Sequence, residues 1–411
     1  MSCAGFREVD QGNTQFFPKK MSSASAGGAG GAGAAATGAA AGVTVRRLEG
    51  TNEPHIAGLA TATALVGARV ALVVSDDGAA GSPLRALTEL LLAHPAAAAA
   101  LVADLELMLG AFDACVGKRP PVARGLDGRV RVEIDFLQGA AGLAHHGVAG
   151  FAVGPAFAAE CVRARAAAAP ATRRQLSHVF MYECTRNYIF PEEFTPLFDY
   201  CVCSGAVAAR GTVGAPAPAC WGWQVHTFLP HHKRPHPNPS PSLFPHRVNQ
   251  GFVNVLGVLL VSDAEPAIAI DYHGSDGPAF LASMEAQLDR HVAGVAAGEL
   301  CWSDTFMHER LPWAAHQSLD NAYSGLLVRL WRRHGRGDFV QRFFSTAMPL
   351  LRTNGRVPAG KTDVAAAREN LLVACSVAAR TDLCDFFERS LGMPLRTGTR
   401  DDVAACVLAA S

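Results

Sequence analysis

The chain has 411 residues, about half of them apolar and 18% charged, with 36 basic against 36 acidic side chains. That length exceeds what one hydrophobic core supports, so at least two modules are expected. Zero net charge supplies no general attraction to polyanions, which excludes a nucleic-acid or acidic-membrane partner recognised by charge alone.

Residues 1–42 are dominated by Ala, Gly, Ser and Thr from Ser22 onward and cannot bury enough surface to offset chain entropy; they read as a disordered tether. Glu8 and Asp10 and the lack of an apolar run followed by a cleavage site argue against a secretory signal, while organelle targeting stays open. The eleven cysteines are scattered and form no CxxC pair, which fits reduced thiols and a cytoplasmic protein. The run Ile56 to Val74 is made of small residues and interrupted by Arg69, too weakly apolar for a membrane span.

Within that run, Arg69 to Val74 is rich enough in valine to be a buried strand. Ala57 to Gly78 has some likeness to the helix and strand of a dinucleotide-binding unit, but without G-x-G-x-x-G; a nicotinamide-dependent enzyme ranks third among the functional readings. Pro83 to Val116 carries leucines at helical spacing, as one helix or a pair broken near Pro95. Gly128 to Phe136 alternates Val130, Val132 and Ile134 with Arg129, Arg131, Glu133 and Asp135, predicting a strand with one wet face. Gln138 to Pro155 holds five glycines and predicts a hairpin whose second strand admits another backbone at close range. Helices are expected over Ala156 to Arg165, Ala171 to Ile189 and Thr195 to Ala209.

His226 to Arg247 then packs five histidines and six prolines without pattern. Proline at that density denies the histidines a fixed metal geometry, so the segment reads as a disordered insertion or a gene-model error. Helices are expected beyond it at Ala279 to Ala296, His316 to Arg333, Gly337 to Leu351, Val364 to Ala379 and Thr381 to Pro394. The resulting division is a tail at 1–42, a mixed unit at 43–210, the insertion at 211–250 and a helical unit at 251–411.

Chemistry concentrates in "YECTRN". Residues four apart share a helix face, so Tyr182 aligns with Arg186 and Glu183 with Asn187, while Glu183 reaches Arg186 three residues on. With histidine at 182 and 186 the string would be a zinc helix with Glu183 as general base. The chain resembles the gluzincin metallopeptidases of the enhancin and mucin-degrading type, whose helix reads HExxHN. Two further parts agree: the Gly-rich strand Ala141 to Gly154, and the helical tail over Tyr323 to Phe344 and Glu369 to Leu395, which ends in a "DL..FFE..G.P" pattern.

The resemblance implies an α+β fold: a zincin-like small sheet with an active-site helix, followed by a mainly helical subdomain that closes a cleft. It also implies an edge strand, around Ala144 to Gly150, that pairs with an extended substrate. All three metal positions depart from the family. A tyrosine stands at 182, a permanent cation at 186, and no acidic residue between Asp199 and Asp263 supplies the third ligand.

The expected protein is therefore a peptidase relative that has lost zinc hydrolysis and binds an extended peptide or glycan, with no cofactor. Tyr182, Arg186, Asn187, His145, His146 and His178 line its cleft, and Glu183 is catalytic only if activity persists. The alternative is an active hydrolase with zinc on His178, His145 or His146 and Glu183. Adjacent His145 and His146 point to opposite strand faces, so regular β geometry brings only one to a metal. Cys184, Cys201 and Cys203 read as buried packing, and Trp302, Phe306, Trp313 and Tyr323 as aromatic core or a ligand-specificity surface.

Overall fold

A computed structural model of the chain describes residues 43–49, 61–75, 79, 81–117, 128–135, 142–144, 150–167, 174–189, 191–198, 247–272, 275–307, 319–358 and 363–410. The tail 1–42, most of the Pro/His segment, His145, His146, Cys201 and Cys203 lie outside the described residues.

Strands β1 (Thr44–Glu49), β2 (Thr61–Val66) and β3 (Val70–Ser75) form an antiparallel meander. Val70 to Val74 is wholly apolar and mostly valine, which suits a fully covered strand. Because β2 and β3 join through a tight turn, the segment 61–75 is a hairpin and not the helix and strand of a dinucleotide-binding unit. Helix α1 (Pro83–Ala93) is capped by the Ser82 side chain, which accepts from the Arg85 N–H, with Pro83 at its first position. Pro95 cannot continue it, having no N–H and clashing with a preceding carbonyl, so α2 (Pro95–Val116) is a separate helix, ended by Gly117 at φ 70°.

β4 (Val130–Ile134) runs parallel to β3, and β6 (Phe151–Val153) parallel to β4. β5 (Gly142–Ala144) closes the sheet as an antiparallel edge on β6, giving the order β1-β2-β3-β4-β6-β5. β5 and β6 are thus the two antiparallel strands of the hairpin expected within the Gly-rich stretch. Gly150, at φ +97°, is where a backbone does come close: a Cβ there would enter the Arg131 carbonyl.

The expected wet face of β4 is absent. Arg131 and Glu133 are buried at 6% and 2% exposure, because β4 is an interior strand covered on both sides. On one face Leu72, Val132, Ile134 and Phe151 join the main core; on the other Ala62, Ala64, Val66, Ala71 and Val73 form a separate small cluster.

α3 (Pro155–Ala167) follows β6. The helix expected from Ala171 instead begins as β7 (Arg174–Ser177), and only at Ser177, whose hydroxyl accepts from the Val179 N–H, does α4 (His178–Tyr188) start. α5 (Pro191–Phe198) begins earlier than the predicted 195–209 helix, Pro191 setting its first turn. α6 (Arg247–Ala264) is buried almost all round and packs on α2 and α4, as its apolar sequence dictates. β8 (Ile268–Tyr272) returns to pair in parallel with β7, and β9 (Ser275–Asp276) pairs with β8.

The rest is helical: α7 (Gly277–Ala296), α8 (Leu319–Arg333), α9 (Gly337–Arg342), α10 (Met348–Thr353), α11 (Val364–Ala379) and α12 (Thr399–Ala410). A π-helical turn at Phe343–Ala347 links α9 to α10. Of the helix expected over Thr381 to Pro394, only a short turn around Phe386–Ser390 forms. The fold is mixed α+β with a small mixed sheet, and one buried apolar cluster runs from Leu65 to Cys406. Among the described residues, no helix is long and apolar enough to cross a membrane.

Candidate functional site

α4 is pinned on three sides by its own sequence. Tyr188 stacks on Phe112 of α2, with ring centroids 4.8 Å apart, and its hydroxyl donates to Asp113 Oδ1 at 2.6 Å. Asp113 in turn pairs with Arg69 from the β2–β3 turn. Burial, then the nearby Cys184 and Asp113, push the Tyr188 phenol well up, so it stays a donor. On a second side Gly257 of α6 leaves room for Met181 and Thr185: a Cβ there would lie 2.7 Å from the Met181 Cβ.

The third side meets the sheet. Asn187 donates through Nδ2 to the Gly150 carbonyl at 3.1 Å, just before β6. One turn earlier Glu183 lies under the edge strand. A Cβ on Gly142 would sit 2.5 Å from Glu183 Cγ and 2.9 Å from Oε1, so only glycine lets β5 cross the carboxylate. Glu183 is 3% exposed, and burial raises its pKa to about 7, against the lowering effects of the Arg186 charge and the Ala144 main-chain N–H. Its Oε2 is buried and has no hydrogen-bond partner among the described residues.

Arg186 Nη1 stands 3.8 Å from that oxygen, an ion pair too long to be a hydrogen bond, and its guanidinium lies 5.9 Å from the centre of the half-buried Tyr182 ring. Helical spacing thus brings Tyr182, Glu183, Arg186 and Asn187 together below the edge strand.

His178 reaches Tyr182 but not Glu183. One turn before Tyr182, its ring centroid lies 6.0 Å from the tyrosine's, while its Nε2 is 2.7 Å from the Asn254 carbonyl and its ring meets Phe280 at 5.2 Å. A carbonyl only accepts, so that nitrogen carries the proton and has no lone pair for a metal. His145 and His146 lie outside the described residues, as does most of the edge strand proposed from Ala144 to Gly150.

No protein-family model, curated protein or solved structure matches the chain.

Among the described residues, the donor set does not fit zinc. A guanidinium is a fixed cation with no lone pair to give, and among the described residues no three His, Cys, Asp or Glu side chains gather as a metal-holding group. Cys184 faces the core, where burial, reinforced by Asp113, pushes its thiol well above the ordinary value; it is packing and not a nucleophile. Trp302, Phe306 and Tyr323 are a buried aromatic stack, with Trp302 and Phe306 centroids 4.1 Å apart; Trp313 lies outside the described residues.

Sequence reasoning missed the parts supplied by other elements: Gly142 as the cradle for Glu183, the Ala144 N–H, and the Tyr188–Asp113–Arg69 brace. Gly142 carried a signal, since glycine inside a strand marks a close approach. What approaches there is a side chain.

Proposed function

We propose that this protein is a zincin-like relative of the gluzincin peptidases that has exchanged zinc-dependent hydrolysis for the holding of an extended peptide or glycan along its edge strand. One observation carries the reading. The carboxylate that would be the general base lies beneath an antiparallel edge strand, with a guanidinium 3.8 Å away on the residue where the resemblance expects a metal ligand. Arg186 supplies locally the positive charge a metal would bring, but it offers no site that activates water for attack. The cluster is then a recognition surface: main-chain groups of β5, a guanidinium and a buried carboxyl.

The test is to offer zinc-supplemented protein a fluorogenic peptide library and a glycopeptide pool, following anisotropy and cleavage together. Binding without turnover, indifferent to a zinc chelator, is the expected outcome. Chelator-sensitive cleavage abolished by Glu183→Gln, or stoichiometric zinc lost in His178→Ala, would overturn the proposal in favour of an active hydrolase.

A further inference from the structure

The last helix is attached to the fold by charge more than by apolar burial. Of the twelve residues of α12, only Thr399, Val403 and Cys406 are buried, and Leu408 is 79% exposed. Arg400 donates to Asp385 at 2.8 Å and to Glu388 at 2.5 Å, Asp402 pairs with Arg356, and Arg396, just before the helix, pairs with Glu369 of α11. Asp385, Glu388 and Asp402 are themselves exposed, whereas the Glu369 side chain is enclosed at 5%. Every hydrogen-bond partner of Glu369 among the described residues belongs to the C-terminal segment: the Arg396 guanidinium through Nε at 2.7 Å and through Nη2, the Arg396 main-chain N–H, and the Thr399 hydroxyl at 3.0 Å.

The neighbour of Glu369 faces the other way. Asn370 Nδ2 donates to the Arg356 carbonyl at 2.6 Å and to that of Leu197 at 3.1 Å, in the last turn of α5, the helix that directly follows α4. Arg356 is also the residue whose guanidinium holds Asp402. Upstream, the chain is pinned where the Leu391 carbonyl meets His291 Nε2 at 3.0 Å and the Gly392 carbonyl accepts from the Trp302 N–H at 3.2 Å. Between that anchor and α12 stand Pro394 and Gly398, the latter at φ +86°. We propose that the segment from Arg396 to Ala410 is a strap that opens and closes as one unit with Glu369 as its latch, and that closing it tightens α5.

Two buried apolar side chains are a small tether for a helix of this length, and exposed ion pairs add little to it. The fork of charge-assisted bonds on an enclosed carboxylate is stronger, so it governs how often the segment lifts. Regions with few apolar contacts and polar bonds facing solvent are those that open below the energy of global unfolding. When the strap lifts, Arg356 loses Asp402, and the carbonyl that Asn370 shares with Leu197 is freed to move. The device works whatever the cleft beside α4 binds, and no covalent step is involved.

The experiment is hydrogen–deuterium exchange read by mass spectrometry on the full chain, with peptides covering α5, α7, α11 and α12. In the unmutated protein α12 should exchange well ahead of α7. Arg396→Gln and Glu369→Gln should each speed exchange in α12 about tenfold or more, speed α5 by a smaller factor in the same samples, and leave α7 unchanged. Arg400→Gln, which breaks only exposed pairs, should change α12 by less than about threefold. Equal protection of α12 and α7, or a rise spread evenly over all four helices, would overturn the strap, because the segment would then open only with the whole fold. An unchanged α12 in Arg396→Gln would remove Glu369 as the latch, and a faster α12 beside an unchanged α5 would sever the link to α4. Arg396 is 56% exposed, so its variant decides the question even where Glu369→Gln fails to fold.

Discussion

Replacing Glu183 with glutamine isolates the electrostatic cost of the site. The folded protein holds a proton on Glu183 more tightly than the unfolded chain does, its pKa rising from 4.5 to about 7 through burial. The unfolded chain therefore releases that proton first. Stability falls as pH rises from the unfolded value through the folded one, and the loss is complete above about pH 7. At about 1.4 kcal/mol per pH unit, that rise is worth roughly 3 kcal/mol. Glutamine keeps the size of the acid form and never ionises, so Glu183→Gln should match the parent near pH 4 and exceed it by roughly 3 kcal/mol at pH 8, about 5 °C in Tm for a chain of this size. Thermal melts in steps between those limits read the difference directly. Glu133, raised in the same direction, titrates in both proteins and cancels. Parallel curves would mean that Glu183 is not buried under β5. A variant less stable at pH 8 would mean that the pair with Arg186 outweighs the desolvation it opposes.

Gly142→Ala places a Cβ 2.5 Å from Glu183 Cγ and should cost about 1–3 kcal/mol in chemical denaturation, with most of the loss recovered when Glu183→Ala is added. Additive losses would show that the two residues are not in contact. Tyr188→Phe removes the hydroxyl that donates to Asp113 and should cost about 1–2 kcal/mol, while Arg69→Gln, at the other end of that brace, should be non-additive with it in a double-mutant cycle. The paired changes Tyr182→His and Arg186→His put two imidazoles four residues apart on α4; elemental analysis should find zinc uptake above that of the parent, and no gain would argue that the helix face is closed to a metal. In Gly150→Ala a side chain must enter the Arg131 carbonyl from a backbone at φ +97°, and loss of the folded state, read by circular dichroism, is expected.

The parts of this fold legible in the sequence are those where local chemistry and final environment agree. The valines of β3, the break at Pro95, and α11 from Val364 to Ala379 were all readable from composition and spacing. The failures share one cause, which is tertiary contact overriding local pattern. Alternating charges on β4 suggested a wet face, yet Arg131 and Glu133 pair with each other at 2.8 Å and are buried together. Residues 174–177 look helical beside α4 but are drawn into a strand by β8, nearly a hundred residues later in the chain. The site divided in the same way. The helical face of Tyr182, Glu183, Arg186 and Asn187 follows from spacing alone, whereas the distance from Glu183 to Gly142 depends on a hairpin whose register no local signal fixes.

Two buried glutamates flank the Gly-rich hairpin, and they differ in how closely their arginines hold them. Burial raises both to about 7, and each has an arginine on its own element: Arg131 two residues from Glu133 along β4, Arg186 three residues from Glu183 along α4. The strand pair is closed. Its partners are 2.8 Å apart with side chains 7% and 3% exposed, so nothing from solution reaches them without opening the sheet, and removing one partner strands a charge in the interior. The helix pair is looser at its arginine end only: the partners are 3.8 Å apart and the guanidinium side chain is 29% exposed, while the Glu183 side chain, at 4%, is as covered as that of Glu133. At 3.8 Å a partly solvated guanidinium offsets little of the cost of burying its carboxylate, whereas the enclosed pair is joined by a direct hydrogen bond. The same arginine–glutamate chemistry thus braces the sheet where both partners are enclosed, and on the proposed reading of the cleft its exposed guanidinium is the part that faces a ligand.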